Sequence, residues 1–236
     1  MMISPEGMHE LFAKWTKTVV SSVKGVVAID GKQARRTGDK TQRPLHVVSA
    51  FAHEYGIVLG QLACEEKSNE ITAIPKLLEI LEISECIVTI DAMGTQKSIA
   101  KKIREKNADY ILALKENQSG LYKDVKLFMD EYCNDAEAKN GDIYAYSLCQ
   151  EHGRIEKREC FICEDIGWLN DREKWTDLNG IGMIVATVED NGTKSSTAAL
   201  FYLQLQGIAG GADHEGKKSA LGHRKFIALG TRHGIP

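Results

Sequence analysis

The sequence lacks any apolar run that approaches the roughly 18 residues of a membrane-spanning helix, which argues against an integral membrane protein. It also lacks an export signal, because residues 1–10 show no basic start followed by an apolar stretch. We therefore expect a cytoplasmic protein. Internal repeats and low-complexity tracts are missing too. With 43% hydrophobic residues in 236, the chain can form one sizeable core, or one core with a small appendage.

The sequence has only one pair of cysteines at a metal-binding spacing. Cys160 and Cys163 form a C-x-x-C, and a structural zinc site usually needs a second pair. In an intracellular chain, six cysteines without such a pattern favour free thiols over a disulfide framework. We predict structural thiols, with a metal as the alternative.

Excess positive charge is also missing. The formal net charge of −3 argues against a protein that coats nucleic acid. The charge is nevertheless uneven, and two segments are basic. The first contains Lys32, Arg35, Arg36, Lys40 and Arg43, opposed only by Asp39, and the second is residues 216–236, which contain no acid.

Hydrophobic periodicity predicts the element order of the first half. A helix is expected over residues 8–24, strands over 26–30, 45–51, 57–63, 86–90 and 110–114, and helices from Ser68, from Thr95 and up to Tyr132. The two strands after the first read as a hairpin. The order β-β-β-α-β-α-β-α predicts an α/β fold with a mixed sheet flanked by helices.

The second half reads as antiparallel strands. They are expected over residues 143–149, 155–163, 181–188 and 197–203. We predict four regions: a helical segment at 1–25, an α/β core at 26–135, a β-rich extension at 136–205, and a tail at 206–236 that is disordered or irregular.

Asp30 and Asp91 share one sequence context. Each follows four apolar residues and precedes a turn of small residues. If both strands are central and parallel, both carboxylates emerge at the edge where α/β sheets bind ligands. A divalent metal such as Mg²⁺ would relieve their repulsion and, as a pair of ions, serve phosphodiester chemistry. The alternative is that each aspartate simply caps a turn.

Several sequence blocks resemble a known family. They are V-A-I-D-G-K at 27–32, L-H-V-V-S-A-F at 45–51, E-K-S-N-E-I-T-A-I-P at 66–75, T-I-D-A-M-G-T-Q at 89–96, A-L-K-E-N-Q at 113–118 and H-G-R-I-E at 152–156. In this order and spacing the chain, from about residue 3 to about 197, resembles insertion-sequence DDE transposases of the H-repeat-associated group, which also occur beside Rhs elements.

The resemblance implies an RNase-H-like catalytic core and a metal-dependent enzyme. Its first two acids match Asp30 and Asp91, which would bind Mg²⁺ or Mn²⁺, and a glutamate on a later helix normally completes the site. Such enzymes hydrolyse DNA at the element ends and join the freed 3′ hydroxyl to target DNA. DNA is thus the expected partner, with a homodimer or pairing with a full-length transposase as further possibilities.

The chain departs from the family pattern at both ends. Family members begin upstream with a helical region, so Met1 is expected to be an internal start or the remnant of a longer frame. The helix that carries the third acid reads approximately H-W-x-I-E-N-x-L-H-W, and that block is missing here. We therefore expect an inactive or impaired copy.

A frameshift would explain the missing helix. With one permissible choice of codons, residues 216–230 read in a shifted frame give A-R-K-A-H-W-A-I-E-N-S-L-H-W. We predict a frameshift near residues 197–201, beyond which the chain would have no evolved packing role. Sequencing the locus tests this hypothesis, which fails if the other frame does not encode that helix.

Six basic and amide side chains are candidate DNA contacts, five of them from their place after the first acid or at the exit of the last core strand, and Arg154 from the family resemblance. They are Lys32, Arg35, Arg36, Lys115, Asn117 and Arg154, each with a solvated loop or strand-end turn as the alternative. His46 and His53 lack a ligand partner at metal spacing and read as structural. Trp168 and Trp175 read as anchors of a small core.

Two other functions compete with strand transfer. A non-catalytic DNA-binding or regulatory fragment of a transposase would show salt-dependent binding to end sequences. An unrelated nuclease with the same core would need a third carboxylate elsewhere, for which Glu65, Glu66 and Glu70 are the candidates.

Overall fold

The computed structural model describes residues 23–33, 45–64, 70–134, 144–151, 153–190 and 192–205, together with Leu11, Trp15 and Thr18, which are helical. The described strands are β1 Gly25–Gln33, β2 His46–Ala52, β3 Ile57–Ala63, β4 Cys86–Ile90, β5 Asp109–Leu114, β6 Tyr144–Glu151, β7 Arg154–Cys163, β8 Gly180–Asp190 and β9 Thr193–Gln204. The α-helices among the described ranges are α1 Glu70–Ile80, α2 Lys97–Glu105 and α3 Ser119–Tyr132. None of the described helices has the length and apolarity required to cross a membrane.

The chain divides into two compact units, Met1–Ile111 and Leu112–Pro236, so the boundary falls inside β5. The predicted regions 1–25, 26–135, 136–205 and 206–236 follow the family resemblance and remain a prediction. Residues 1–10 and 206–236 lie outside the described residues.

The first unit contains a mixed sheet with the strand order β3-β2-β1-β4-β5. β1 pairs with β2, and β2 with β3, in antiparallel fashion, whereas β1 and β4 are parallel. A parallel neighbour requires a crossover connection, and here β2, β3 and α1 lie between β1 and β4 in the chain. This confirms the predicted α/β fold with an RNase-H-like mixed sheet.

The core of the first unit forms where apolar strand residues meet α1 and α2. On α1, Ile74, Leu77 and Leu78 are buried, and on α2 so are Ile99 and Ile103. Their spacing of three or four residues puts each set on one helix face. β1 and β4 are buried over nearly all of their apolar residues, as expected for strands covered on both faces.

Glu54 fixes the start of β1. Its Oε2 accepts a hydrogen bond of 2.8 Å from the backbone N–H of Val26. The carboxylate fills the space beside Gly25, which has φ of +86°, and a Cβ at that position would lie 1.9 Å from Glu54 Oε1. The end of the strand opposite to Asp30 is therefore held by a side chain from the β2–β3 turn.

The second unit contains an antiparallel meander with the order β9-β8-β7-β6. Val125 and Met129 of α3 are buried, and Tyr132 Oη donates to the carbonyl of Ile162 at 3.4 Å. The four antiparallel strands predicted for this half are confirmed, although β9 starts at Thr193 and not at Thr197.

The strands of the second unit are buried only at one end. The last residues of β7 and β9 and the first of β8 are buried, whereas the tips around the two hairpin turns are exposed. On the edge strand β6, Tyr146 and Leu148 are 61% and 63% exposed.

The end of β9 differs from the expectation that the chain has no packing role beyond residues 197–201. Phe201, Tyr202 and Leu203 are at most 1% exposed. Their contribution to the core follows from their apolar character, since a shifted reading frame can still encode large hydrophobic residues.

The aromatic residues predicted as small-core anchors behave differently from each other. Trp175 is buried, with its ring centroid 5.1 Å from that of Tyr202. Trp168 is 39% exposed, lies 4.6 Å from the ring of Phe128, and donates from Nε1 to the carbonyl of Asp165 at 3.1 Å. The prediction is confirmed for Trp175, whereas Trp168 covers the side of α3.

All six cysteines are free thiols. Cys160 and Cys163 are three positions apart on β7, so their side chains point to opposite faces of the strand and do not converge on one ion. Burial raises the pKa of Cys160 to about 12, and burial with the nearby Glu54 and Glu85 carboxylates raises that of Cys86 to about 11. These two thiols are therefore protonated and unreactive near neutral pH.

Candidate metal centre

The parallel register of β1 and β4 brings the two predicted acids to neighbouring positions. The last pair of the ladder is Ile29 with Ile90; Asp30 is the next residue of β1, and Asp91 directly follows the end of β4. Neighbouring strands are about 4.8 Å apart, and residues at the same register position of a parallel pair point to the same face. Asp30 and Asp91 are therefore at neighbouring positions at this edge of the sheet, and convergence of their carboxylates on one ion is a prediction.

Asp91 is held by the turn that follows β4. Its Oδ1 accepts hydrogen bonds from the backbone N–H groups of Met93 at 3.1 Å and Gly94 at 3.2 Å. The hydroxyl of Thr95, which is fully buried, donates to the carbonyl of Asp91 at 3.1 Å. Asp91 therefore caps this turn, and its role as a metal ligand remains a prediction. Both turn hydrogen bonds go to Oδ1, so among the described residues the lone pairs of Oδ2 are left for another ligand.

The Asp30 side chain is open to solvent. It is 51% exposed, and Nζ of Lys32 lies 3.3 Å from its Oδ2. The lysine lies two residues further on the same face of β1 and is itself 81% exposed. An exposed ion pair of this kind contributes little to stability, so Lys32 can leave Asp30 at small cost.

Glu70, a candidate third acid, lies on the other face of the sheet. A Cβ on Gly31 would be 2.2 Å from its Cδ and Oε1, so its carboxylate lies against the backbone of Gly31. Because successive side chains of a strand alternate, Asp30 points to the opposite face. Glu70 therefore does not join Asp30 and Asp91. Glu65 and Glu66 lie outside the described residues.

The two aspartates present a donor set that suits a hard divalent cation. Both contribute carboxylate oxygens, which are preferred by Mg²⁺, and the position is open to water, which this ion usually retains as a ligand. In the portion of the chain that is described, no group of three or more His, Cys, Asp or Glu side chains is arranged to hold a metal. The fit of this site to a metal ion therefore rests on the carboxylates of Asp30 and Asp91.

The predicted DNA-binding side chains are exposed where they are described. The four that the structure describes are Lys32, Lys115, Asn117 and Arg154. Lys115 and Asn117 belong to the tight turn after β5, in which the N–H of Gln118 donates to the carbonyl of Lys115 at 3.0 Å. Arg154 begins β7 after the predicted hairpin turn and lies 3.4 Å from Glu156. Arg35 and Arg36 lie outside the described residues.

The arrangement around Glu70 was not predicted from the sequence. Nε2 of His46 lies 2.7 Å from Oε1 of Glu70, which satisfies the distance of an ion pair but not the angle of a hydrogen bond. His46 was predicted to be structural, and this partner supports that prediction. The sequence shows an acid within a largely apolar helical block, but it does not show which strand that acid contacts.

Comparison with known proteins identifies the family. The model of the transposase DDE domain matches residues 21–200. The H repeat-associated putative transposase YhhI of Escherichia coli K12 is 43% identical over 166 residues, which are 69% of this chain and 43% of that protein. The putative transposase YncI of Escherichia coli O157:H7 is 50% identical over 154 residues, which are 64% of this chain and 38% of that protein.

Two further similarities complete the comparison. An uncharacterized protein in the dhlA 3′ region of Xanthobacter autotrophicus is 34% identical over 203 residues, which are 85% of this chain and 68% of that protein. A piggyBac transposase in a synaptic complex with hairpin DNA aligns with a TM-score of 0.36 and 7% identity, covering 77% of this chain and 33% of that one, which is too distant to support an argument.

The chain spans from 38% to 68% of the length of these three relatives. Its family match covers most of the described residues and includes both aspartates. The chain belongs to the DDE transposase domain family.

Proposed function

We propose that this chain carries the first two metal-binding acids of a DNA transposase, Asp30 and Asp91. The observation that carries the proposal is the parallel register of β1 and β4, in which these residues directly follow the pair Ile29 and Ile90. In the family, such acids serve phosphodiester hydrolysis and strand transfer at the ends of an insertion sequence. The expected substrate is therefore DNA, acted on in the bacterial cytoplasm.

Mg²⁺ or Mn²⁺ is the proposed cofactor. When bound, a pair of such ions activates the attacking oxygen and stabilises the leaving oxygen of an in-line displacement. The role of this chain is to supply and orient ligands. The turn N–H groups of Met93 and Gly94 fix the Asp91 carboxylate, which reduces the conformational freedom that ion binding would otherwise have to remove.

Lys32 is proposed to contact the DNA backbone. It is exposed, lies on the same face as Asp30, and forms only a surface ion pair with it. A cation in this position balances the carboxylate charge and can bind a phosphate close to the reacting bond. Contacts with DNA are also proposed for Arg35, Arg36, Lys115, Asn117 and Arg154.

Metal titration tests the paired carboxylates. Asp30→Asn and Asp91→Asn are each expected to weaken Mn²⁺ binding by roughly 100-fold, because each substitution removes one of two charged ligands. Mn²⁺ electron paramagnetic resonance measures the free ion directly. Asp130→Asn, which removes an exposed carboxylate paired with Lys126 on α3, is the matched control and should bind as the parent does. Wild-type affinity in both site variants would contradict the proposal.

We propose that the chain alone does not complete strand transfer, because the block that carries the family's third acid is absent from its sequence. Incubation with Mn²⁺ and DNA carrying insertion-sequence ends should yield no joined product. Efficient joining would contradict this. Salt-dependent binding to those ends without joining would identify a DNA-binding fragment, which can act alone, as a homodimer or with a full-length transposase.

A further inference from the structure

The face of β1 opposite to Asp30 contains a buried carboxylate. Glu70 is 8% exposed and begins α1. Its carboxylate occupies the volume in which any side chain at position 31 would begin, since a Cβ there would lie 2.2 Å from both Cδ and Oε1. Only glycine leaves this space open.

His46 contacts Glu70 in that position. The register pairs Gly31 with Val48, and His46 lies two residues before Val48 on β2. His46 therefore points to the same face as the open side of Gly31. Its Nε2 is 2.7 Å from Oε1 of Glu70, and its backbone carbonyl accepts the N–H of Cys64 at 2.8 Å. The histidine is thus anchored on β2 while it contacts the glutamate.

We propose that Glu70, which contacts His46 and packs against Gly31, is a positioning residue for Asp30. The carboxylate fixes the first turn of α1 against β1 one residue after the aspartate. Because Asp30 and Gly31 share a peptide bond, a shift of the strand at Gly31 also moves the Asp30 carboxylate. Mg²⁺ demands nearly ideal ligand geometry, so a small shift weakens binding. This inference rests on the proposed metal centre.

The contact of Glu70 with Gly31 explains why a carboxylate is buried at this position. A buried carboxylate is costly unless it has a partner, and removing the partner of a buried charge is more costly still. Glu70 does not provide a third metal ligand, because it faces away from Asp30. Its burial beside Gly31 is explained if Glu70 acts through its contact with β1.

A double-mutant cycle tests the inference. Gly31→Ala and Glu70→Ala should each weaken Mn²⁺ binding roughly 10-fold, in the range observed when residues that support metal ligands are removed. The double variant should bind no worse than Glu70→Ala, because the added methyl group then meets no carboxylate. Such non-additivity is expected only for residues in contact. Glu70→Gln, which keeps the shape of the side chain, should restore binding to within about threefold of the parent.

Controls separate positioning from loss of the fold. Glu79→Ala removes an exposed carboxylate from the same helix, where it pairs with Lys102 at 2.9 Å, and should bind Mn²⁺ as the parent does. Circular dichroism checks that each variant is folded. Folded Glu70→Ala protein with parental affinity, or additive effects in the cycle, would overturn the inference.

A second measurement keeps this inference separate from the proposed function. If the parent binds no Mn²⁺ through Asp30 and Asp91, the proposed metal centre fails. Amide hydrogen exchange then decides whether Glu70 fixes the strand. If Glu70 fixes the strand, amide hydrogen exchange at residues 30–32 should be at least about tenfold faster in Glu70→Ala than in Glu79→Ala. Equal exchange in the two variants would overturn the positioning role.

Discussion

Replacing Phe201 with alanine is expected to destabilise the protein by about 3–5 kcal/mol, the usual cost of removing a buried aromatic ring. The ring is 1% exposed and lies directly over Gly182, where a Cβ would be 2.3 Å from its Cζ. Urea denaturation monitored by circular dichroism measures the effect as a shift of the midpoint. Phe201 lies one residue beyond the family match, which ends at 200.

Tyr202→Phe is the control for this variant. Tyr202 is fully buried, and among the described residues its hydroxyl has no hydrogen-bond partner. Removing an unsatisfied buried hydroxyl should leave stability unchanged or raise it by about 1 kcal/mol. A cost below about 1 kcal/mol for Phe201→Ala would mean that the packed part of β9 ends before this residue.

At the end of β9 the apolar side chains are buried, but two buried polar atoms lack a hydrogen-bond partner among the described residues. Besides the Tyr202 hydroxyl, Oε1 of Gln204 is buried without a hydrogen-bond partner within the described part of the chain. Buried polar groups in evolved cores are rarely left unpaired. The hypothesis that the chain leaves the family's reading frame near residue 200 remains a prediction.

Replacing Gly25 with alanine is expected to destabilise the protein for two separate reasons. The residue has φ of +86°, and a left-handed conformation costs a residue with a Cβ about 1–2 kcal/mol. The new methyl group would also displace the Glu54 carboxylate, leaving the Val26 N–H without its charged acceptor at about 1–3 kcal/mol. Thermal unfolding and urea denaturation measure the sum.

Glu54→Ala separates the two contributions. This variant should lose only the contribution of the hydrogen bond, and Gly25→Ala in the Glu54→Ala background should cost only the conformational part. Gly56→Ala provides a matched glycine, because it has φ of +66° but nothing within 4 Å of its Cβ. Equal costs at Gly25 and Gly56 would contradict the role assigned to Glu54.

The sequence was sufficient to predict the strands that carry the acids. Cys86–Ile90 was predicted with its observed bounds, because a short apolar run that ends at an acid and a turn has few other conformations. The predicted strand at 26–30 proved longer, since β1 continues to Gln33 through its ladder with β2. Backbone pairing extended that strand beyond its apolar residues, which periodicity alone does not reveal.

Other features required the tertiary structure. The first residues of β9, Thr193 to Thr197, are polar and exposed, so no alternation marked them as a strand. The contact of Glu70 with Gly31 depends on which face of β1 each residue occupies, and therefore on the register with β2. A single sequence contains the residues of this contact but not the pairing that joins them.

The order of strands along the chain also links ion binding to folding. β2, β3 and α1 are synthesised between the two aspartates, so the carboxylates meet only after β4 has docked beside β1. A cation that requires both side chains would have no affinity for a nascent or unfolded chain. By mass action it would then raise the unfolding free energy by about 2.7 kcal/mol at a concentration 100 times its dissociation constant, which makes added Mn²⁺ a reporter of completed strand pairing.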